Sequence, residues 1–135
     1  MSNLIFLDAS FWITYRDEDD TRQPEARRIV AELFRERCRF VTTLPVICEI
    51  HANFSRNVNK RALVLADLCD NPLVTIENIS PSDQRAAIQI LRASRDKTYP
   101  LCDAISFVVM RRLHVKRAAS FDNHFRQFGE FEIVC

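Results

Sequence analysis

The sequence predicts one α/β domain, a three-layer α/β/α arrangement around a mostly parallel central sheet of about five strands. Three observations predict it. Short apolar runs alternate with longer stretches whose apolar residues recur at helical spacing, the alternation that produces right-handed βαβ crossovers. The first apolar run and a late one each close on an aspartate. The chain has 135 residues, one glycine (Gly129) and no Gly/Ser linker, repeat or low-complexity tract, so residues 1–135 are expected to form a single unit.

Leu4-Ile5-Phe6-Leu7 is a continuous apolar run ending at Asp8, the pattern of a buried parallel strand. Phe11 and Trp12 follow in what reads as a short apolar turn, and Arg16 to Thr21 as a charged loop. Ala26, Ile29, Val30, Leu33 and Phe34 then recur with helical period, and Pro24 stands near the start, where its missing N–H costs nothing. Phe40 to Thr43 is the second strand. Pro45 opens a helix through Val46, Ile47, Ile50 and Phe54, and Asn59 to Leu68 forms another. Leu73 to Ile76 is the third strand. Ser80-Pro81-Ser82-Asp83 marks a helix start, followed by a helix over about Leu101 to Leu113. Lys116 to Phe121 is a fourth strand, Asp122 to Phe128 a helical turn and Phe131 to Val134 a last strand.

Composition narrows the function classes. Apolar residues make up 47% and charged residues 27%, the balance of a folded globule rather than a disordered chain. The net charge of +1 supplies no global field toward nucleic acid or membrane. Lys60, Lys97 and Lys116 are the only lysines, so sixteen of the nineteen basic residues are arginine, whose planar fork suits phosphate and carboxylate; codon bias explains the excess equally well. Five cysteines, without CxxC or zinc spacing, read as reduced, buried thiols. No apolar run reaches the ~18 residues of a membrane helix, and the first residues lack a basic leading segment and a cleavage pattern. A cytoplasmic protein without membrane contact is expected.

The acids carry the functional signal. Asp17, Glu18, Asp19 and Asp20 read as a solvated loop. Four others sit in apolar company: Asp8 and Asp122 directly after strands, Glu49 within Val46-Ile47-Cys48-Glu49-Ile50, and Asp103 within Leu101-Cys102-Asp103-Ala104-Ile105. An acid among apolar neighbours is desolvated at a cost unless it is paired, hydrogen-bonded or metal-bound. Singly, each has an ordinary explanation: Asp8 or Asp122 as a helix N-cap, Glu49 or Asp103 as the partner of a buried arginine. Together, two lie at strand ends and two on first turns of helices that can border the same crevice, beyond the carboxyl ends of the strands, where open α/β sheets place their sites. Four crowded carboxylates repel one another, and a cation relieves the repulsion. All-oxygen ligation suits Mg2+ or Mn2+ rather than zinc, and such ions support phosphate chemistry.

The same residues carry a family likeness. Leu4-Ile5-Phe6-Leu7-Asp8-Ala9-Ser10, Ile47-Cys48-Glu49-Ile50, the run from Asp96 to Met110 and Phe121-Asp122-Asn123-His124-Phe125 resemble PIN domains, and among them the VapC-type ribonucleases of bacterial toxin–antitoxin pairs. The likeness spans nearly the full chain. It implies that Asp8, Glu49, Asp103 and Asp122 are the catalytic, metal-binding acids, with Ser10 a supporting polar group and Asp96 a supporting acid behind them. It further implies a PIN-like parallel sheet flanked by helices, Mg2+- or Mn2+-dependent hydrolysis of RNA, a homodimer and a small antitoxin partner. The chain departs from the family pattern at Phe128-Gly129-Glu130-Phe131, where one residue separates glycine from phenylalanine, and at Pro100 and Cys102, where small polar residues are commoner.

On this reading Asp8, Glu49 and Asp103 hold one cation and Asp122 completes it through water or binds a second. Arg16, Lys97, Arg111, Arg112 and Arg126 are the candidate RNA contacts, by nearness in sequence to the acids; each is otherwise a plain surface cation. Tyr15 and Tyr99 are candidates to stack on bases or to pack on the sheet. His51, His114 and His124 form no cluster by spacing, and His124, beside Asp122, is the one placed for a supporting hydrogen bond. Phe54, Val58, Leu63 and Leu65 are either core or a dimer surface. Three other functions stand beside this one: a PIN nuclease of RNA maturation or turnover, which the sequence barely separates from the toxin; a silent RNA- or protein-binding scaffold, which would lack an acid; and a Mg2+-dependent phosphoacceptor, which would want an acid pair near the N-terminus.

Overall fold

The computed structural model describes residues 3–134. In chain order its elements are β1 (Leu4–Leu7), α1 (Ala9–Arg16), α2 (Gln23–Arg35), β2 (Arg39–Thr42), α3 (Leu44–Phe54), α4 (Val58–Cys69), β3 (Val74–Ile76), α5 (Pro81–Ala93), α6 (Leu101–Leu113), β4 (Arg117–Ala119), α7 (Asn123–Phe128) and β5 (Glu132–Val134).

All strand pairings are parallel, in the order β3-β2-β1-β4-β5. The chain winds outward from β1 to β3, then crosses β1 to continue through β4 and β5. The winding direction reverses between β1 and β4, and such a switch point opens a crevice at the carboxyl ends of the strands. Helices α1–α4 contact one another, as do α5–α7, giving a helical layer on each face. Ile5, Phe6, Leu7, Phe40, Val41, Ala118 and Ala119 are buried, because strands covered on both faces have no solvent side.

The strands and the later helices fall within a residue or two of the sequence expectation. The segment after Asp8 does not: α1 is a helix where the sequence reads as an apolar turn. Phe, Trp, Ile, Thr and Tyr are indifferent helix formers, and with Ala9, Phe11, Trp12 and Thr14 all buried no polar face marks the period. Tertiary burial makes this helix. The Trp12 indole N–H donates to Asp67 Oδ2 (3.0 Å), and Arg16 grips the same carboxylate through two hydrogen bonds of 2.7 Å, tying α1 to α4.

The second layer is held by aromatics. Phe107, fully buried on α6, stacks on Phe128 (ring centroids 4.2 Å) and meets Phe125 edge-on at 5.0 Å and Tyr99 at 5.4 Å. Phe107 lies one turn beyond Asp103, so this cluster fixes the helix that carries an acid of the site. Phe107→Ala is expected to cost about 3–5 kcal/mol, the usual range for emptying a buried aromatic position, read as a lower urea midpoint with an unchanged slope. Arg112 docks α5 onto α6: its guanidinium donates to Asp83 (2.9 and 3.0 Å), Glu77 (3.0 Å) and the Asn78 carbonyl (3.0 Å), while Asp83 also closes the capping box with Ser80. Gly129 ends α7 at φ 78°, a conformation that a side chain resists.

The cysteines depart from expectation. Cys38 is buried and Cys102 half-buried, but Cys48 and Cys69 are exposed; all four are free thiols. Their helices turn Cys48 and Cys69 outward although their sequence neighbours are apolar. Cys135 lies outside the described residues. Phe54 is core, whereas Val58, Leu63 and Leu65 are exposed.

Candidate active site

The parallel register places the site. Phe6 pairs with Val41 and Leu7 with Ala119, so continuing the register brings Asp8 between Thr43 and Ser120 at the carboxyl edge of the sheet. Asp8 is 3% exposed. Its Oδ2 accepts hydrogen bonds from Ser10 Oγ (2.5 Å) and Ser120 Oγ (2.8 Å). The same hydroxyls are pinned in turn: the Phe121 N–H donates to Ser10 Oγ and the Asp122 N–H to Ser120 Oγ, both at 3.0 Å. Two serines thus hold one oxygen of Asp8 and link the end of β1 to the chain after β4. Ser120 is not among the residues that the sequence marks for the site; its one signal is a small hydroxyl at the end of an alanine-rich strand, two residues before an acid.

Asp122 caps α7, with Oδ1 accepting from the His124 backbone N–H at 3.0 Å. The capping role that any strand-end aspartate can fill is therefore real here, and it fixes the carboxylate at the mouth of the crevice. Asp103, on the first turn of α6, is 5% exposed. Its Oδ2 lies 2.8 Å from His124 Nδ1, which also lies 3.0 Å from Asp122 Oδ1. One ligand atom from each of Asp103, Asp122 and His124 falls within 4.8 Å of the others. Glu49 differs from expectation in two ways. It stands on the second turn of α3 rather than the first, and it is exposed, because Val46, Ile47 and Ile50 take the buried face.

The electrostatics show mutual strain. Burial, and then the charge of Asp122, raises the Asp8 carboxyl against the pull of its two serine hydrogen bonds. Burial followed by the charges of Asp8 and Asp122 raises Glu49. Asp103 is pushed up to about 7, first by burial and next by Asp8, with the His124 hydrogen bond opposing. The four acids come from two strand ends and from both helical layers, and three of them are held above their ordinary range, first by burial and then by one another's charge. Among the described residues no lysine or arginine forms an ion pair with any of the four. Thr43 Oγ1, beside Asp8 in the register, is buried without a hydrogen-bond partner. Carboxylate oxygens with a nearby imidazole and an unpartnered hydroxyl fit a hydrated divalent cation.

The other expected residues are placed less centrally. Asp96 is exposed. Arg16, Arg111 and Arg112 are engaged within the protein, with Asp67, Glu130, and Asp83 plus Glu77, so their forks are already filled. Lys97 and Arg126 are exposed. Tyr99 is buried, with its ring edge-on to His124 at 5.9 Å, which makes it a packing residue. Cys102, pushed up to about 12 by burial and then by Glu49 and Asp103, stays a thiol and offers no nucleophile.

A parallel α/β/α sandwich with acids converging at its switch point is the architecture of a PIN domain, and the chain belongs to that family: the PIN domain profile matches residues 5–130. Among curated proteins it is similar to the 23S rRNA-specific endonuclease VapC20 of two Mycobacterium tuberculosis strains, 28% identical over 131 residues that cover 96% of this chain and 98% of that protein. Among solved structures it is similar to the crystal structure of Mycobacterium tuberculosis VapC20, described as a sarcin-ricin loop cleaving toxin, with a TM-score of 0.86 and 26% identity over 97% of this chain and 99% of that one. Among the described residues no helix is long and apolar enough to cross a membrane.

Proposed function

We propose that the protein is a Mg2+- or Mn2+-dependent endoribonuclease, the toxin of a type II toxin–antitoxin pair. The observation that carries this reading is the convergence of Asp8, Glu49, Asp103 and Asp122 with three of the carboxyls raised, in a PIN-family chain similar along its length to VapC20. Asp8, Asp103 and Asp122 would hold the cation, with Glu49 as the member that solvent and substrate reach. When bound, the cation polarises the phosphoryl oxygens and lowers the pKa of the attacking water toward neutrality.

The chain's own residues supply position. Ser10 and Ser120 hold Asp8 Oδ2, and the α7 cap holds Asp122 Oδ1. This preorganisation spares the site the cost of gathering like charges during reaction. Hydrolysis forms a bond from the water oxygen to phosphorus and breaks the bond to the 3′ oxygen, which takes up a proton. The products carry a 5′-phosphate and a 3′-hydroxyl. The test is incubation of pure protein with structured and unstructured RNAs, 23S rRNA among them, with Mn2+ or with chelator, followed by end mapping. Mn2+-dependent cuts with 5′-phosphate ends are expected; cuts in chelator, or 2′,3′-cyclic phosphate ends, contradict the proposal.

RNA contact falls to cations that the fold leaves available. Tyr99, in the loop between α5 and α6, packs edge-on to His124, and the same loop carries Arg95 and Lys97. Both are exposed and, among the described residues, neither has a carboxylate partner. Arg95→Glu and Lys97→Glu in an Asp103→Asn background are expected to weaken RNA binding across sequences, each reducing the salt dependence of log K by about one, measured by fluorescence anisotropy. Unchanged slopes would place the phosphate contacts elsewhere. A small antitoxin and a homodimer complete the proposal, with the exposed Val58, Leu63 and Leu65 as candidate apolar contacts.

A further inference from the structure

His124 is the only nitrogen ligand atom in the tight group at the crevice, and its placement does more than orient a neighbour. Nδ1 faces two carboxylates at once, 2.8 Å from Asp103 Oδ2 and 3.0 Å from Asp122 Oδ1. Its ligand atom and one oxygen from each acid lie within 4.8 Å of one another. A ring that only steadied Asp103 would need one such contact. The ring is also fixed from two sides: the backbone N–H of the same residue caps onto Asp122, and Tyr99, itself buried, packs edge-on at 5.9 Å. His124 is half-buried, so the nitrogen is presented from a held ring rather than from a surface rotamer.

We infer that His124 Nδ1 is a ligand of the cation that Asp103 and Asp122 hold, and that this nitrogen tilts the site away from Mg2+ and toward Mn2+. The inference rests on the reading that these acids bind a divalent ion. As a ligand, the ring carries its proton on Nε2 and turns the Nδ1 lone pair toward the ion, so the contacts with the two carboxylates are replaced by shared coordination. Mg2+ is hard, holds its waters and favours oxygen, whereas imidazole suits first-row transition ions. Carboxylates alone would discriminate little between the two ions; a nitrogen among them changes the ratio.

Two measurements on the intact protein test this. In the electron spin echo of bound Mn2+, wild-type protein is expected to show modulation from a coordinated imidazole nitrogen, shifted by histidine 15N labelling and absent in His124→Gln. By calorimetry, the ratio of Mn2+ to Mg2+ affinity is expected to fall roughly tenfold in His124→Gln. In His124→Asn, whose amide N–H falls where Nδ1 lies and can still donate to Asp103, the ratio is expected to fall as well; a residue that merely positions that acid would leave it unchanged there. Mn2+ bound in an Asp103-dependent manner, without nitrogen modulation and with an unchanged ratio, overturns the inference and leaves the ribonuclease reading standing. Absence of Mn2+ binding overturns both. The wild-type echo needs no variant, so a His124→Gln protein that fails to fold does not remove the test.

Discussion

Asp103→Asn is expected to lower RNA cleavage by roughly 10²- to 10³-fold while leaving the protein folded. The magnitude follows because this acid is nearly enclosed and shares its immediate space with Asp122 and His124, and loss of one preorganised charge contact in a desolvated site typically costs two to three orders of magnitude. Folding is retained because the carboxyl is not a source of stability in the metal-free protein. Burial and the charge of Asp8 raise it to about 7, so near neutral pH its ionised form is opposed by its surroundings. A neutral amide of the same shape removes that opposition. The metal-free variant should therefore melt no lower than wild type, and cleavage should be lost at every Mn2+ concentration tried. Retained cleavage, in protein cleared of contaminating ribonuclease, contradicts the role assigned to Asp103. Asp8→Asn is expected to behave alike, since both serine hydroxyls that face Oδ2 still find an amide to bond.

The second large effect is a reversal in how stability responds to pH when metal is added. Asp8, Glu49 and Asp103 all have folded-state pKa values above their ordinary values. The folded metal-free protein thus binds more protons than the unfolded chain, and its stability falls as pH rises. For Asp103 the contribution is fully present below the ordinary carboxyl value of 3.8 and is lost as pH passes through about 7. Metal-free protein should melt progressively lower between pH 5 and 8. Saturating Mn2+ binds the ionised acids, so its stabilisation grows over the same window; at a hundred times the dissociation constant it is worth about 2.7 kcal/mol, roughly 10 °C for a chain of this size. Melting curves at several pH values with Mn2+ or chelator read both slopes. Parallel slopes with and without Mn2+ contradict a cation seated among these acids.

Both expectations come from features that the sequence displays unevenly. Asp8 and Asp122 are legible because each closes an apolar strand, and strand ends in a parallel sheet point at the crevice. The helices that carry Glu49 and Asp103 are legible from period and from Pro45 and Pro100. The depth of each acid on its helix is not: apolar neighbours suggest burial for both, but only Asp103 is enclosed, because the helical turn that buries Val46, Ile47 and Ile50 sends Glu49 outward. Helix α1 is hidden for the opposite reason, since a short helix buried on nearly every side has no polar face to set its period.

Long-range pairing is the other thing that local sequence conceals. Nothing near Arg16 or Arg112 in the chain announces Asp67 or Asp83, which lie 51 and 29 residues away, so two guanidinium groups read as candidate RNA contacts also tie together helices distant in the chain. The clamp on Asp8 works the same way: Ser120 is 112 residues distant and reaches Asp8 only because β4 lies beside β1. His124 was visible as a neighbour of Asp122, whereas its closeness to Asp103 depends on α6 and α7 packing around Phe107.

The claim on which the rest depends is that these dispersed acids hold one ion in common. Crystals grown with Mn2+ and measured at a wavelength where manganese scatters anomalously address it directly. An anomalous peak within coordination distance, about 2.0–2.4 Å, of carboxylate oxygens from Asp103, Asp122 and Asp8 is the predicted result. A map with no peak in the crevice, or with manganese bound only at other surface acids, would contradict it.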